Sequence, residues 1–75
     1  MTDQQLAVEF RKACERAPAG KKYVAMYLFG IRYARELSGR DASAIAAAAG
    51  QPSSYGSELR KAAALAPYVT IKQEA

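Results

Sequence analysis

The sequence predicts an all-α domain built from four helices, followed by a short β-strand near the C-terminus. Apolar residues recur at helical spacing in four stretches, and glycine or proline separates each stretch from the next. Alanine, the strongest helix former, supplies 17 of the 75 residues. A chain of this length suffices for one domain, so we expect residues 1–75 to form a single unit.

Helix one is predicted over residues 3–16, within an N-terminal segment of residues 1–20. Thr2 stands three residues before Gln5, which is the pattern of a capping box, and apolar residues then recur along one stripe of the helix. Pro18 follows the last of them and ends the helix.

Helix two is predicted over residues 22–37 and is apolar on two sides. One face carries Val24, Tyr27, Leu28, Ile31 and Ala34, and the nearly opposite face carries Met26, Phe29, Tyr33 and Leu37. A helix with two apolar faces lies between two layers of the protein. One layer is the part of the chain that follows it, and the other is helix one, a partner subunit or both.

Two shorter helices follow. Asp41 is a good N-cap and Gly50 a good stop for a third helix of about eight residues, whose side chains are mostly alanine. Ser53 or Ser54 caps the fourth helix, which ends before Pro67.

Residues 68–72 predict a β-strand, because they are mostly β-branched or aromatic and follow a proline. The chain contains no second strand pattern, and a lone strand leaves its hydrogen-bonding edges open. The sequence therefore leaves three arrangements open. The strand pairs with its copy in a dimer, it pairs with an extended piece near residues 21–23, or it is a packed extended tail.

The composition excludes several classes of function. The chain has no histidine and one cysteine, so it lacks the usual ligands of a structural zinc site and the residues of Ser-His or Cys-His catalysis. We therefore expect a non-enzymatic protein without a metal or cofactor. The chain has no apolar run of membrane-spanning length and no basic start of an export signal, so we expect no membrane partner and a cytoplasmic location. Cys14 is then interpreted as a small core residue.

The most informative spacing links the third and fourth helices across a glycine turn. The residues that carry it are Ile45, Ala46, Ala49, Gly50 and Leu59. This pattern resembles the helix-turn-helix of small bacterial DNA-binding proteins over residues 42–61. The resemblance implies a trihelical core over residues 22–66, with a second motif helix that enters the major groove of DNA.

One position departs from that family. Gly56 stands where its members usually carry a branched apolar residue, at a cost of about 1 kcal/mol in helix stability relative to alanine. A glycine at this position permits a close contact with another helix, and the expected neighbour is Tyr27 or Tyr33.

The start of the fourth helix carries the residues that the resemblance places at base edges. The candidates for base contact are Gln51, Ser53, Ser54, Tyr55 and Ser57, with Glu58 as a further candidate. Glutamine pairs bidentately with adenine, and serine reaches several base edges. Two alternatives stay open, since Ser53 also suits helix capping and Tyr55 also suits packing against the turn.

The net charge of +4 belongs to one segment of the chain. Residues 21–40 contain five cations and one anion, whereas the rest of the chain is balanced. Cations at phosphates supply affinity without sequence information. The candidates for phosphate contact are Lys21, Lys22, Arg40, Arg60 and Lys61. Arg32 and Arg35 are equally well explained as solvated surface charges.

These patterns together favour sequence-specific binding of double-stranded DNA by a small bacterial transcriptional regulator. We expect a homodimer, since one helix-turn-helix reads only a few base pairs. The candidate dimer residues, from helix one, helix two and the tail, are Phe10, Met26, Phe29, Tyr33, Val69 and Ile71. The alternative is a protein-interaction module, an adaptor or an inhibitor, that binds a protein partner through the second apolar face of helix two.

Overall fold

The computed structural model describes residues 1–72, which form α-helices joined by short turns. The helices are α1 (Asp3–Arg16), α2 (Lys22–Arg32), α3 (Ala34–Leu37), α4 (Ala42–Ala48) and α5 (Tyr55–Leu65), and a 3-10 turn (Ala66–Tyr68) follows α5. The all-α prediction is confirmed for this part of the chain. None of these helices is long and apolar enough to cross a membrane.

α1 begins with the predicted capping box. The backbone N–H of Gln5 donates to Thr2 Oγ1 at 3.0 Å, and the backbone N–H of Thr2 donates to Gln5 Oε1 at 2.8 Å. Leu6 and Phe10 are buried on one face of the helix. Cys14 is half-buried against the same core, and burial raises the pKa of its thiol above the usual range.

The second predicted helix is not continuous. It breaks at Tyr33, whose φ of −105° and ψ of 24° lie outside the helical region, so that α2 and α3 result. Backbone hydrogen bonds nevertheless span the break. The Tyr33 N–H donates to the Phe29 carbonyl, and the Leu37 N–H donates to the Tyr33 carbonyl, both at 2.9 Å. Apolar residues keep their spacing through the break, so the sequence pattern could not reveal it.

The core is assembled mainly from α1, α2, α4 and α5 of a single chain. Its largest fully buried side chains are Leu6, Phe10, Met26, Ile45 and Leu59. α1 packs on α2 and α4, and α5 packs on the same two helices. α2 and α5 run parallel, since Tyr23 contacts Tyr55 near their starts and Gly30 lies against Ala62 further along. This arrangement holds α5 against a two-helix support.

The predicted C-terminal strand is wrong for the described residues. Ala66–Tyr68 continue α5 as a 3-10 turn, and residues 69–72 lie in neither helix nor strand. Pairing within the chain fails because residues 22 and 23 already open α2. β-branched side chains favour an extended backbone, as at Val69 (φ −136°, ψ 160°), but a strand also needs a neighbouring edge. Pairing with a second copy stays a prediction.

Candidate nucleic-acid interface

A left-handed glycine joins α4 to the segment that precedes α5. Gly50 has a φ of 78°, a conformation that residues with a side chain adopt only with strain. The N–H of Gln51 donates to the Ala46 carbonyl at 3.0 Å, which is the long bond of a Schellman motif. At the other end of α4, the side chain of Asp41 caps the helix. The predicted N-cap and glycine stop of this helix are confirmed.

The start of α5 is capped by backbone groups and not by serine side chains. The Tyr55 N–H donates to the Pro52 carbonyl at 3.0 Å. The Gly56 N–H donates to the Ser53 carbonyl at the same distance. Ser54 occupies the N-cap position, and no side-chain hydrogen bond caps the helix. Serine capping of α5 is therefore wrong, because the preceding turn already supplies the carbonyl acceptors, and both serines are exposed.

Two glycines let α5 approach its neighbours at backbone distance. A Cβ atom on Gly56 would overlap the backbone nitrogen of Ser43 in α4. A Cβ atom on Gly30 in α2 would lie 2.5 Å from the Cβ of Ala62 in α5. Since a Cβ atom at either position would lie closer to its neighbour than van der Waals contact allows, only glycine fits at either position. The predicted close contact at Gly56 exists, but its neighbour is Ser43 and not a tyrosine of helix two.

An aromatic pair joins the starts of α2 and α5. The rings of Tyr23 and Tyr55 meet edge to face with their centroids 5.8 Å apart. The Nζ atom of Lys22 lies over the Tyr55 ring, 5.2 Å from its centroid. Tyr55 is half-buried in this cluster. Tyr55 thus packs against α2 and not against the turn, and its contact with a base stays a prediction.

A polar link joins the same two helices one turn further along. The phenol of Tyr27 donates a hydrogen bond to Glu58 Oε2 at 2.5 Å, and Lys61 Nζ lies 3.5 Å from Glu58 Oε1. The Tyr27 hydrogen bond is the main reason that the pKa of Glu58 is lowered from its usual value, and Lys61 adds to it. The same bond raises the pKa of Tyr27. Glu58 therefore joins helices rather than facing outward as a free base-reading carboxylate.

The outward face of α5 presents short polar side chains and cations. Its exposed residues include Ser57, Arg60 and Lys61, and the segment before the helix exposes Ser53 and Ser54. Positions three and four apart lie on the same side of a helix, which places Ser57 beside both cations. Gln51 is half-buried in the turn, and Lys21 is exposed at the start of α2. Most of the predicted contact residues thus lie around the start of α5.

Arg40 lies outside this group. Its Nη1 donates to Asp3 Oδ1 at 2.5 Å, and its Nη2 donates to the carbonyl of Met1. These contacts tie the loop before α4 to the start of α1. The structure thus gives Arg40 a contact within the fold, and a phosphate contact by this residue stays a prediction. The partner lies 37 residues away in the chain, so local spacing could not identify it.

Three of the predicted dimer residues are wrong, because a single chain buries them. Phe10 and Met26 are 0% exposed and Phe29 is 4% exposed. Tyr33 is half-buried and its ring lies against Phe29, with centroids 4.6 Å apart. A second copy cannot reach side chains that the core already covers. The tail positions that keep exposed surface are Val69 and Ile71.

Two residues that position α5 were not predicted from the sequence. Tyr23 braces Tyr55 from α2, and its place directly after two lysines was the available signal. Ser43 lies directly against Gly56, and a lone serine in an alanine-rich helix gives no indication of this contact. Both contacts join segments far apart in the chain.

Comparisons with known proteins identify the family. No curated protein and no solved structure matches the chain significantly. A family model described as an HTH-like domain matches residues 2–72, which include every helix described above. The match extends well beyond the turn itself and includes α1 and the supporting helix α2. This protein therefore belongs to the family of HTH-like domains.

Proposed function

We propose that this protein binds double-stranded DNA in a sequence-dependent manner, as a small bacterial transcriptional regulator without enzymatic activity. The observation that carries the proposal is the outward face of α5, with exposed serines at its start and cations one turn further along. A helix-turn-helix inserts the start of its second helix into the major groove. Membership of the HTH-like family is consistent with the same docking.

Ser53, Ser54 and Ser57 are the proposed base-reading residues. A serine hydroxyl both donates and accepts, so it reads several base edges, but its reach is short. Short side chains discriminate between bases only when the backbone that carries them is held rigidly. The close contacts of Gly30 and Gly56 hold α5 in this way. Gln51, with a longer reach to adenine, completes the set.

The proposed affinity comes from phosphate contacts by Lys21, Lys22, Arg60 and Lys61. Each phosphate that a protein neutralises releases counterions, so the logarithm of the binding constant falls with the logarithm of salt by about 0.9 per contact. Four contacts predict a slope of about −3.6 for one chain. Two chains on a symmetric site double it. A homodimer is part of the proposal, because one motif alone reads only a few base pairs.

A protein-interaction module is the second candidate function. The face of helix two first expected to bind a partner is buried, since Met26 is 0% and Phe29 is 4% exposed. The candidate is favoured instead by the exposed apolar side chains on the other side of α2, where Tyr23 is 57% and Val24 is 53% exposed. An apolar interface responds little to salt, whereas phosphate contacts weaken steeply as salt rises. The salt dependence of the tightest ligand therefore separates the two candidates.

Selection of bound sequences from random duplex DNA, followed by titration of the enriched site, tests the proposal. Ser57→Ala should relax the preference at one position of the site. Arg60→Gln should weaken binding to all sequences and reduce the salt slope by about 0.9 per chain, which is about 1.8 for the dimer. Arg11→Gln, which removes an equal charge from α1, is the matched control and should leave binding nearly unchanged. Absence of an enriched motif, together with binding that ignores salt, would contradict the proposal.

A further inference from the structure

A groove between α1 and α2 carries two arginines that the proposed DNA contacts do not use. Arg16 of α1 and Arg32 of α2 line this groove, and neither pairs with an anion among residues 1–72. Lys12 also lines the groove and pairs with Glu9 at 3.4 Å. Three cations and one anion therefore give a formal charge of +2 to this surface, which we call the arginine groove.

The floor of the arginine groove is apolar. Its lining residues with little exposed surface are Ala13 of α1 and, from α2, Ala25, Phe29 and Tyr33. The rings of Phe29 and Tyr33 lie against each other, with centroids 4.6 Å apart, so the core holds this floor in place. A ligand that complements the groove has an apolar group for the floor and negative charges for the arginines.

The volume of the arginine groove indicates an anchoring site for a longer molecule. Sites that enclose a small molecule occupy roughly 300–1,000 Å³ and bury most of its surface. The arginine groove has a volume of about 230 Å³, and Leu28 on its edge is 42% exposed. A groove of this size holds an apolar side chain of a bound segment rather than a whole ligand.

The surface continues along α2 beyond the arginine groove. Leu28 also lines a neighbouring groove with Tyr23, Val24 and Tyr27, so the two grooves share an edge. Val24 and Arg32 are eight residues apart, which is about 12 Å along the helix axis. An amphipathic helix that presents apolar anchors at positions i, i+4 and i+7 covers a similar length, about 10 Å.

The arginine groove faces away from the proposed DNA-binding helix. Gly30 of α2 lies against Ala62 of α5. Residues two positions apart point about 200° apart around a helix, so Arg32 lies on the side of α2 that is nearly opposite to α5. DNA on the outward face of α5 and a partner in the arginine groove would therefore use different cations.

We propose that the arginine groove and the adjoining exposed side of α2 bind an acidic, amphipathic peptide segment of another protein. Apolar side chains of the segment pack on Leu28 and on the groove floor, and its carboxylates pair with Arg16 and Arg32. Charge complementarity selects this partner, because a second copy that presented the same side would bring cations onto cations.

This inference names the partner for the protein-interaction candidate and rests on that candidate, but it does not depend on DNA binding. A peptide carries no condensed layer of counterions. Salt should therefore weaken its two charge pairs far less than it weakens contacts with DNA.

Selection from a display library of random peptides, about 14 residues or four helical turns long, against the full chain without DNA tests the proposal. We expect the enriched peptides to carry several aspartates or glutamates among apolar residues. A synthetic copy of one enriched peptide is then titrated against variants. Leu28→Ala should raise its dissociation constant at least about 10-fold. Arg16→Gln combined with Arg32→Gln should raise it about 3- to 30-fold.

Two matched controls remove an equal charge elsewhere. Arg11→Gln lies on the side of α1 that faces α4, and Arg60→Gln lies on the outward face of α5. Both should leave peptide affinity nearly unchanged. All five of the substituted side chains are exposed, and circular dichroism verifies that the variants keep their helices.

Three outcomes would overturn the inference. The first is a library that enriches no peptide tighter than about 100 μM, or only peptides without acidic residues. The second is a peptide affinity that the double arginine variant leaves unchanged. The third is a loss of DNA affinity in that variant as large as in Arg60→Gln, which would assign Arg16 and Arg32 to phosphates. Because the peptide titration contains no DNA, a chain that binds the peptide but selects no DNA contradicts only the proposed DNA binding.

Discussion

Two faces of α2 look alike in the sequence and differ completely in the structure. On one face, Met26 is 0% and Phe29 is 4% exposed. On the other face, Val24 is 53% and Leu28 is 42% exposed. Both faces are apolar and both recur at helical spacing. The difference arises because α1 covers one face and no described element covers the other to the same extent.

The aromatic character of the buried face explains the choice. Phe10 of α1 lies against Phe29, with ring centroids 5.1 Å apart, and Phe29 in turn lies against Tyr33. Aromatic pairs add about 0.5–1.5 kcal/mol beyond the area they bury. A smaller aliphatic side chain such as that of Val24 would bury less surface against α1 and would form no aromatic pair. Apolar periodicity defines the direction of a face, but the size and shape of its side chains decide which neighbour covers it.

The largest expected effect comes from truncating adjacent residues on the two faces. Phe29→Ala should lower the free energy of unfolding by about 3–5 kcal/mol, because it leaves a cavity in the core. Leu28→Ala should change it by less than about 0.5 kcal/mol in the monomer, because the side chain is already partly in water. Urea unfolding followed by circular dichroism, on the same two variants, measures both.

The comparison of Phe29→Ala with Leu28→Ala needs a control, because the total stability of so small a domain is low. A 75-residue chain holds little stability in reserve, so Phe29→Ala can abolish folding outright. Phe29→Leu keeps most of the volume and should lose roughly 1 kcal/mol. Equal losses for Phe29→Leu and Leu28→Ala would contradict the contrast between the faces.

Local sequence patterns predicted most of the fold. The capping box at Thr2, the cap at Asp41 and the left-handed turn at Gly50 each depend on neighbours within a few residues, and all three were predictable. The C-terminal strand was not, because β-propensity at Val69 says nothing about whether an edge lies beside it. The break at Tyr33 kept the apolar spacing and so left no trace in the pattern.

The candidate site was predictable in its residues and not in its contacts. The exposed serines near the start of α5 follow from the spacing of the motif. Arg40 was predicted to contact phosphate because it lies in a basic segment. In the structure it pairs with Asp3, which lies 37 residues away in the chain. Similarly, Gly56 predicted a close contact between helices but did not identify Ser43 as the neighbour. Contacts between distant segments depend on the whole fold, which local spacing does not encode.

The side of α2 that faces α5 is a third surface of this helix, and a substitution there should cause a loss of stability of intermediate size. Gly30→Ala should destabilise the protein by about 1–3 kcal/mol through overpacking, despite a gain of nearly 1 kcal/mol in helix propensity. The new Cβ would lie 2.5 Å from Ala62 Cβ and 3.0 Å from the Leu59 carbonyl oxygen. Urea unfolding measures the loss, and a stabilised variant would show that α2 and α5 separate easily.

The double variant Gly30→Ala with Ala62→Gly serves as the control for that contact. It removes the side-chain half of the clash and keeps the approach to the Leu59 carbonyl. The coupling energy between the two changes should therefore be favourable, although the substitution Ala62→Gly by itself costs about 1 kcal/mol in helix propensity. Strict additivity would argue against direct contact between these positions.

The smallest expected effect is a change in acid sensitivity from the Tyr27 and Glu58 hydrogen bond. Because the pKa of Glu58 is lowered in the folded protein, its contribution to stability is present above the ordinary glutamate pKa and disappears as pH falls through the lowered value. Tyr27→Phe removes the main donor, so stability should fall less steeply over that acidic range. Tyr23→Phe, at a ring without this bond, is the matched control and should keep the wild-type slope.

The alkaline side of the same hydrogen bond has the opposite sign. The raised pKa of Tyr27 gives a contribution to stability that is complete below the ordinary tyrosine pKa and is lost as pH rises through the raised value. Unfolding midpoints across pH for the wild type and the two phenylalanine variants measure both arms. An unchanged acid arm in Tyr27→Phe would mean that Lys61 alone controls Glu58, and the side of α2 that faces α5 would then be joined to it by packing rather than by this polar link.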